Sequence, residues 1–355
     1  MKNNKIYILE RSINHALGKT IEEICDWYNN ESAIPLIDST ELYQENMIKM
    51  PILKNQNKLS ITPNILRKMD AFCAYCVDGI NDMSIESYPK ERMGLFLGSC
   101  LGGLSTAERE IRILENEGPG RVSPFLSIAM FYSSSISQIS IIYNITGPSY
   151  LYSDGFLSGF SSIIHASESI KENVIPISIV GASDMPFSPT CVKAYNDIGL
   201  LEQNNYVTDG SAMLLLGTEQ YIEDKDCVEI AGFGYGYFHP DKIEDSLNKA
   251  LQECLASSMV SKEEIDLVVL SDNYFEDQRE REFNFFSTLL DAQYLSLSKL
   301  LGNSFSATSV QKLLIAESIL LNKNLPFNMR DNSVATIILS SIDISGNCIM
   351  IILKK

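Results

Sequence analysis

The sequence predicts an α/β fold in which strands and helices alternate along the chain. Segments such as Val174–Gly181 are short, β-branched and apolar, which is typical of strands buried on both faces of a sheet. The alternation runs through the chain twice, which favours two related halves that we place at 1–220 and 221–355. With 355 residues, 45% of them hydrophobic and 21% charged, the chain can fill one large or two smaller cores.

The N-terminal part divides into strands, helices and one proline-containing stretch. Residues 51–65 include Pro51 and Pro63 and few apolar repeats, so we predict that they form a surface excursion. Elsewhere the apolar spacing predicts strands Lys5–Leu9, Arg92–Leu97 and Ala212–Leu216, and helices Ile21–Tyr28, Ile65–Ile80 and Leu104–Asn116.

The helix predicted at Ile65–Ile80 carries Cys73 and Cys76 in a Cys-x-x-Cys spacing. Such a pair can be redox-active or supply half of a metal site. No second pair lies at zinc-site spacing, so we interpret both cysteines as core residues and expect neither metal nor cofactor.

The stretch Gly147–Gly159 carries the main functional signal. It reads as a turn, a short strand and a tight Gly/Ser bend that opens into a helix over Phe160–Ile170. This is the pattern of a nucleophile elbow, where a bend presents one side chain at a helix N-terminus lined with backbone N–H groups. The presented residue is Phe156, and a phenyl ring cannot act as a nucleophile.

The C-terminal part repeats the alternation. Ser261 and Glu264 have the spacing of a capping box, and the strand that follows ends at Ser271. The predicted strands are Val228–Gly234, Ile265–Leu270 and a closing hairpin of Ser333–Leu339 and Cys348–Leu353, and the predicted helices are Ile243–Ser257, Glu280–Leu290 and Ala307–Leu321.

Charge and cysteine usage limit the classes of partner. The net charge of −17 argues against nucleic acid, because phosphate binding requires clustered Lys and Arg. The eight cysteines show no secreted disulfide spacing, and the sequence has neither an apolar run of transmembrane length nor a leader pattern. We therefore expect a cytoplasmic protein with no membrane association.

Several segments in order resemble the β-ketoacyl synthases, the condensing enzymes of the thiolase fold. Besides the elbow, they are Gly98-Ser-Cys-Leu-Gly-Gly-Leu104, Glu117-Gly-Pro119, Val122-Ser-Pro124, Met130-Phe-Tyr132, Gln138-Ile-Ser140 and Thr146-Gly-Pro-Ser149. The set is most similar to the chain-length factors of type II polyketide synthases, which are non-catalytic ketosynthase-like subunits. The resemblance implies a thiolase-like fold with α-β-α-β-α layers.

The departures from the synthase pattern fall on its catalytic residues. Phe156 stands where the family has its cysteine, while Ser271 and Asn303 stand at the positions of the two histidines. Lys299 matches the lysine that precedes the second of these histidines in the family. Many chain-length factors carry glutamine at the cysteine position, and Phe156 lacks that amide. The resemblance therefore implies a subunit without the synthase reaction.

The resemblance also implies a tunnel gate and a partner interface. In chain-length factors, residues on one helix face limit the growing chain, and these match Leu104, Ala107 and Ile111, with Thr190 as a fourth position. Simple core packing is the alternative for this face. The segment Val122–Tyr143 is expected at the partner interface, with candidate contacts at Leu126, Met130, Phe131 and Tyr132.

These observations predict a non-catalytic subunit that pairs with a catalytic ketosynthase and shapes the tunnel for the growing polyketide chain. Because the chain is acidic and carrier proteins of such pathways are typically acidic, an acyl carrier protein is expected to dock mainly on the partner. The alternatives are a partner subunit of an aryl-polyene or fatty-acid-type ketosynthase, a structural homodimer, and an acyltransferase with a relocated nucleophile. Candidates for that nucleophile are Ser153, Ser158 and Cys100, assisted by Asp154 or Asp184.

Overall fold

The computed structural model describes residues 4–38, 51–199, 206–222, 226–272, 275–323, 325–327 and 334–355. The strands of the described chain are β1 Tyr7–His15, β2 Ile37–Asp38, β3 Pro51–Leu53, β4 Met93–Gly98, β5 Ser149–Tyr152, β6 Ile177–Asp184, β7 Val207–Thr208, β8 Gly210–Gly217, β9 Glu229–Gly236, β10 Leu267–Val269, β11 Gln293–Leu295, β12 Thr336–Ile342 and β13 Cys348–Lys354.

The helices of the described chain are α1 Ile21–Cys25, α2 Pro63–Leu66, α3 Ala71–Asn81, α4 Leu104–Glu117, α5 Leu126–Met130, α6 Tyr132–Tyr143, α7 Ser158–Lys171, α8 Pro189–Asp197, α9 Ile243–Ser258, α10 Glu276–Leu289, α11 Ser298–Leu301 and α12 Ser306–Leu320. The α/β prediction is confirmed. Within these residues, no helix combines the length and the apolar character needed to cross a membrane.

Ten strands are hydrogen-bonded side by side in the order β11-β10-β12-β13-β9-β1-β8-β6-β4-β5. From the β5 edge inward, the first two neighbour pairs are parallel and the next two antiparallel. From the β11 edge inward, the pattern is the same. The five strands counted from each edge form one group. The two groups meet where β1 pairs with β9 at Tyr7 and Glu229. This repeated order supports our proposal of two related halves, 1–220 and 221–355.

The helices α7 and α12 lie next to each other between the two groups of strands. Helix α7 packs on β4, β6 and β13, and α12 packs on β6, β8, β12 and β13. The outer faces are covered by α3 and α6 on one side and by α9 on the other. Every residue of α12 from Ser306 to Leu320 except Thr308 is buried, as a helix between two groups of strands requires.

Close approach of α7 and α12 depends on a glycine at the start of α7. A Cβ at Gly159 would lie 2.4 Å from the carbonyl oxygen of Ser306, a distance that side-chain carbons do not tolerate. Glycine at position 159 therefore allows α7 and α12 to approach each other this closely.

Two sequence predictions for residues 51–80 are corrected. The predicted surface excursion contains β3, which pairs with β2 and β7 and buries Ile52 completely. The predicted helix Ile65–Ile80 is two helices, because the carboxylate of Asp70 accepts from the N–H of Phe72 and caps α3 there. The cysteines of α3 are buried, as predicted for core residues.

Candidate functional site

The elbow forms where β5 ends and α7 begins. One 3₁₀ turn, Gly155–Leu157, connects them, and Gly155 adopts a φ of +67° that favours glycine. The hydroxyl of Ser158 accepts from the N–H of Asp154 at 3.0 Å and donates to the carbonyl oxygen of Gly155 at 2.6 Å. These two hydrogen bonds hold the bend in one conformation.

Phe156 points into the protein and does not face solvent. Only 8% of its surface is exposed, so the expectation that the bend presents this side chain outward is wrong. Its ring packs against Phe305 with 5.1 Å between centroids, and Phe305 in turn packs against Tyr195 at 4.7 Å. The elbow residue is thus part of an apolar cluster, because a phenyl ring gains more from burial than from exposure.

A small cavity remains beside Phe156. Its volume is about 20 Å³, which is enough for roughly one water molecule. An acyl chain therefore has no room at the elbow in this conformation. The cavity is lined by Phe156, Ser271, Phe305, Thr308, Ser309, Lys312, Ser340, Ser341 and Ile342.

A carboxylate reaches the elbow from the turn between β12 and β13. The N–H of Phe156 donates to Oδ1 of Asp343 at 3.4 Å. Oδ2 of Asp343 accepts from the hydroxyl of Ser345 at 2.8 Å, which fixes its position. A Cβ at Gly155 would lie 2.6 Å from Oδ1, so only glycine leaves room for this contact. The protein's own anion thus lies at the backbone donor that an elbow offers to an oxyanion.

Ser271 lies on the cavity wall at the end of β10 and is held by Glu282 of α10. Its N–H and hydroxyl donate to the two carboxylate oxygens of Glu282 at 2.9 and 2.6 Å. Burial raises the pKa of Glu282, while the hydrogen bond from Ser271 counteracts that rise. No motif in the sequence marks Glu282, which stands in a helix of ordinary amphipathic pattern.

The lysine of this cavity is Lys312, whereas Lys299 lies on the exposed side of α11. The ammonium group of Lys312 donates to the carbonyl oxygens of Leu270 and Ser271 at 3.0 and 2.6 Å, and to Asp272 at 2.8 Å. The match of Lys299 to the family's lysine therefore brings no lysine into the cavity. No motif marked Lys312, because it stands within an apolar helix.

Asn303 shapes the loop that carries Phe305. Its side-chain oxygen accepts from the N–H of Phe305 at 2.7 Å, and Phe305 adopts a φ of +54°, which is unusual for a residue with a side chain. Asn303 is not among the residues lining the cavity. The structure therefore places Phe156 and Ser271 on one cavity and gives Asn303 a supporting position behind Phe305.

Of the residues proposed for a relocated nucleophile and its assisting group, Ser158, Asp154 and Asp184 are already hydrogen-bonded within the fold. Ser158 is buried and closes the elbow turn, and burial raises the pKa of the Cys100 thiol, which disfavours the thiolate. The carboxylate of Asp184 accepts from the hydroxyls of Ser99 and Ser306 and from backbone N–H groups. Burial raises the pKa of Asp184 against these hydrogen bonds. Ser153 is exposed and Asp154 accepts from Ser161, so this set does not converge on one open site.

The predicted gate residues of α4 lie at the protein surface. Leu104 is 38% and Ile111 54% exposed, so the core-packing alternative for these two is wrong, and Ala107 is half-buried between them. Thr190 opens α8 opposite this helix, and its N–H donates to Oε2 of Glu108 at 3.3 Å. Thr190 therefore contacts the residue that follows Ala107 on α4.

The exposed large apolar side chains found from α4 to α6 and on β5 are here called the apolar face. Its helices α4, α5 and α6 contact one another in sequence order, and α6 contacts β5. Strand β5 ends the sheet order and pairs only with β4 among the described strands. The apolar face comprises Leu104, Ile111, Leu114, Ile128, Phe131, Ile141 and Tyr150.

The four predicted interface residues differ in their surroundings. Phe131 is 53% exposed and belongs to the apolar face, while Leu126 and Met130 are half-buried. Tyr132 points towards its own chain, where its hydroxyl donates to the carbonyl oxygen of Cys100 at 3.0 Å and its ring covers Gly102. As for metals, no group of three potential ligands from His, Cys, Asp and Glu occurs in the described parts of the chain.

The chain has a thiolase-like fold, and Phe156 fills the bend of the elbow. Residues 55–212 match the family model described as the β-ketoacyl synthase N-terminal domain. The resemblance to ketosynthases is thereby confirmed for the N-terminal domain and for the fold.

Curated relatives share low sequence identity with this chain, and the match covers only part of their length. The chain is 20% identical over 234 residues to 3-oxoacyl-(acyl-carrier-protein) synthase 2 of Coxiella burnetii, covering 57% of this chain and 56% of that protein. It is 26% identical over 162 residues to the Staphylococcus aureus protein of the same name, covering 44% and 40%. The chain therefore spans about half the length of the curated relatives it matches.

Solved structures match over nearly the whole chain, each with a TM-score of 0.81. AntDE:AntF, a type II PKS acyl-carrier protein in complex with its ketosynthase bound to the hexaketide, is 19% identical over 99% of both chains. The ishigamide ketosynthase/chain length factor is 15% identical over 99% of both chains. The ketosynthase ApeO in complex with its chain length factor ApeC from Xenorhabdus doucetiae is 16% identical over 99% of this chain and 98% of that chain. At these identities the likeness establishes the fold alone.

Proposed function

We propose that this chain is a non-catalytic ketosynthase-like subunit, a chain-length factor that pairs with a catalytic ketosynthase. The filled elbow is the observation that carries the proposal. Phe156 occupies the position of the nucleophile, the adjoining cavity holds about one water, and Asp343 accepts from the elbow N–H. A thioester carbonyl entering this site would meet no nucleophile and an anion where it needs a donor.

The apolar face supports pairing with a second thiolase-like chain. It joins exposed large side chains, such as Phe131 and Ile141, to the edge strand β5. An exposed edge strand beside an apolar patch favours association with another chain. The strand offers unpaired backbone groups, and the apolar side chains gain from removal from water. The proposed occupant is a catalytic ketosynthase. Two of the matched solved structures are ketosynthase and chain length factor pairs, which is consistent with this choice.

In this role α4 forms one wall of a tunnel between the two subunits. Leu104, Ala107 and Ile111 line the wall, with Thr190 beside them on α8, and the size of these side chains sets how far a polyketide chain can extend. The acyl carrier protein docks mainly on the ketosynthase, because this chain carries a net charge of −17. The mechanism is steric, so the subunit needs neither a cofactor nor a metal.

A partner subunit for an aryl-polyene or fatty-acid-type ketosynthase is the runner-up within this class. The fold is equally compatible with both kinds of partner subunit, and the chemical structure of the product distinguishes them. An acyltransferase with a relocated nucleophile is disfavoured by the buried, hydrogen-bonded state of Ser158 and by the raised pKa of the Cys100 thiol.

The experiment is co-expression with catalytic ketosynthases from the same organism, followed by measurement of complex mass and of product length. Ala107→Phe is the test variant, because a phenyl ring on α4 narrows the tunnel. A methylene-sized change in such a wall is worth about 1–3 kcal/mol of discrimination, so the product should shorten. Lys249→Phe, on the exposed side of α9, is the matched control and should leave the product unchanged. An unchanged product from Ala107→Phe within an intact complex would place the gate elsewhere.

A further inference from the structure

Asp184 lies at the carboxyl end of β6, where it is completely buried. In the described chain, the partners of its carboxylate are serine hydroxyls and backbone N–H groups. A buried anion without a cationic partner is costly unless several donors replace the lost water. Here the donors come from two separate parts of the fold, the start of α4 and the start of α12.

The first set of donors belongs to the loop that leads from β4 into α4. Oδ1 of Asp184 accepts from the hydroxyl of Ser99 at 2.7 Å and from the N–H of Leu101 at 2.9 Å. Oδ2 accepts from the N–H of Cys100 at 3.0 Å. The hydroxyl of Ser99 also accepts from the N–H of Gly102 at 2.9 Å. Asp184 therefore fixes the loop from which the gate helix starts.

The second set of donors belongs to Ser306, the first residue of α12. Its N–H donates to Oδ2 of Asp184 at 3.1 Å, and its hydroxyl donates to the same oxygen. The preceding residue is Phe305, whose ring packs on Phe156 of the elbow at 5.1 Å. Because Oδ2 also accepts from Cys100, one oxygen atom joins the aromatic cluster of the elbow to the loop of α4.

The backbone of Phe305 is strained. It adopts a φ of +54° and a ψ of −121°, a conformation that residues with a side chain rarely occupy. Such a conformation persists only where surrounding contacts impose it. Here these contacts are the ring packing on Phe156 and the hydrogen bonds of Asn303 and Ser306. Loss of the ring contact would therefore let the turn relax and displace Ser306.

The pattern of donors requires a carboxylate at position 184. A backbone N–H faces each of its oxygens, from Leu101 at Oδ1 and from both Cys100 and Ser306 at Oδ2. The amide of asparagine has one accepting oxygen and one donating nitrogen, so in either orientation its NH₂ group meets a backbone N–H. Asp184→Asn therefore releases at least one of these donors with almost no change in side-chain size.

We propose that Asp184 is a positioning residue that couples the packing of Phe305 at the elbow to the position of α4. When the Phe305 turn relaxes, Ser306 moves, and the N–H groups at the start of α4 lose a fixed acceptor. The coupling passes through the carboxylate, since α4 packs on α5 whereas α12 packs on α7. Its consequence for product length rests on the proposed function, while the coupling itself does not.

Hydrogen exchange of the backbone amides, measured by mass spectrometry on the full chain, tests the coupling. Phe305→Leu keeps an apolar side chain but loses the ring contact, and we expect amides of residues 99–103 to exchange about tenfold faster. Phe286→Leu is the matched control, because it removes a buried ring from a separate core cluster and should leave these amides unchanged. Unchanged exchange in Phe305→Leu, or equal acceleration in Phe286→Leu, would overturn the inference.

The double variant Phe305→Leu with Asp184→Asn locates the coupling in the carboxylate. Because Asp184→Asn alone releases part of the loop, the added Phe305→Leu should change exchange at 99–103 by less than about twofold. A purely structural role for Asp184 predicts additive effects, and additivity would overturn the inference. If Asp184→Asn does not fold, Ser99→Ala replaces it and should reduce the effect of Phe305→Leu to about threefold, whereas an undiminished effect would contradict the coupling.

The two proposals fail in different ways. If no complex with a ketosynthase forms, the proposed function fails, while exchange at 99–103 still decides the coupling. If the complex forms and Ala107→Phe shortens its product, but Phe305→Leu and Asp184→Asn act additively on exchange, the proposed function stands and the coupling inference fails.

Discussion

The N–H of Phe156 donates to the carboxylate of Asp343 at 3.4 Å, across 187 residues of sequence. The contact adds a second obstacle to chemistry at the elbow. Replacing the phenyl ring by a thiol would restore a nucleophile, but it would leave an anion beside it and no histidine at the positions of Ser271 and Asn303. Under the proposed function, the site differs from that of a synthase in its nucleophile, its histidine positions and its oxyanion donor together.

The first prediction concerns that anion. Phe156→Cys should be alkylated slowly by iodoacetamide, because the neighbouring carboxylate disfavours the thiolate. Phe156→Cys with Asp343→Asn should react about tenfold faster, which corresponds to a thiol pKa lower by about one unit. Peptide mass spectrometry separates this thiol from the eight native cysteines. Equal rates in the two variants would show that Asp343 exerts no electrostatic control over the elbow.

The second prediction concerns the apolar face. Phe131→Glu should weaken pairing with the ketosynthase by about 30-fold or more, because it places a charge within a desolvated interface. Phe283→Glu is the matched control, since Phe283 is 44% exposed on α10 in the C-terminal half. Analytical ultracentrifugation of the purified pairs gives both dissociation constants. A loss of affinity in the Phe283 variant alone would place the interface on the other half of the chain.

The third prediction concerns the buried ion pair beneath the cavity. Lys312→Met should lower the free energy of unfolding by about 3–5 kcal/mol, because Asp272 then remains as an unpaired buried charge. The double variant with Asp272→Asn should regain part of that loss. Urea unfolding of the two single variants and the double variant measures the coupling. Simple additivity of the two changes would contradict the pairing.

The fourth prediction concerns pH. Burial raises the pKa of Asp209 to about 6, although Tyr75 donates to it at 2.5 Å and the N–H of Asn55 at 2.7 Å. A carboxyl with a raised folded-state pKa stabilises the fold at low pH, and this contribution disappears as the pH rises from about 4 through 6.

Asp209→Asn removes that titration with little change in shape. From pH 4 to 7, the wild-type protein should therefore lose about 2–3 kcal/mol relative to the variant, estimated from the shift in pKa. Urea unfolding at a series of pH values gives the difference. A constant difference between the two proteins over this range would contradict a raised pKa.

Local signals in the sequence account for much of the fold. The alternation of apolar strands and amphipathic helices predicts the α/β class, and the Gly and Ser residues around Phe156 predict the strand, bend and helix of the elbow. These features depend on neighbours in sequence, so periodicity and turn chemistry suffice. The direction of the Phe156 side chain was wrongly predicted, because it depends on Phe305 far along the chain.

The other missed features also depend on long-range pairing. Strand β3 begins at Pro51 and resembles a loop in sequence, yet Ile52 is buried because it pairs with Val207. Lys312 stands in an apolar helix, and its role arises only where α12 passes the end of β10. Asp343 reaches the elbow from a hairpin at the other end of the chain. No local pattern identifies such contacts before the strand order is known.

As the proposed non-catalytic subunit, this chain supports condensation without being acylated. The most direct measurement is intact mass of both subunits after the co-purified pair is incubated with a loaded acyl carrier protein. We expect an acyl mass shift on the ketosynthase alone, an unmodified mass for this chain, and no product from either subunit by itself. An acyl group found on this chain, or product formed by it without a partner, would contradict the claim.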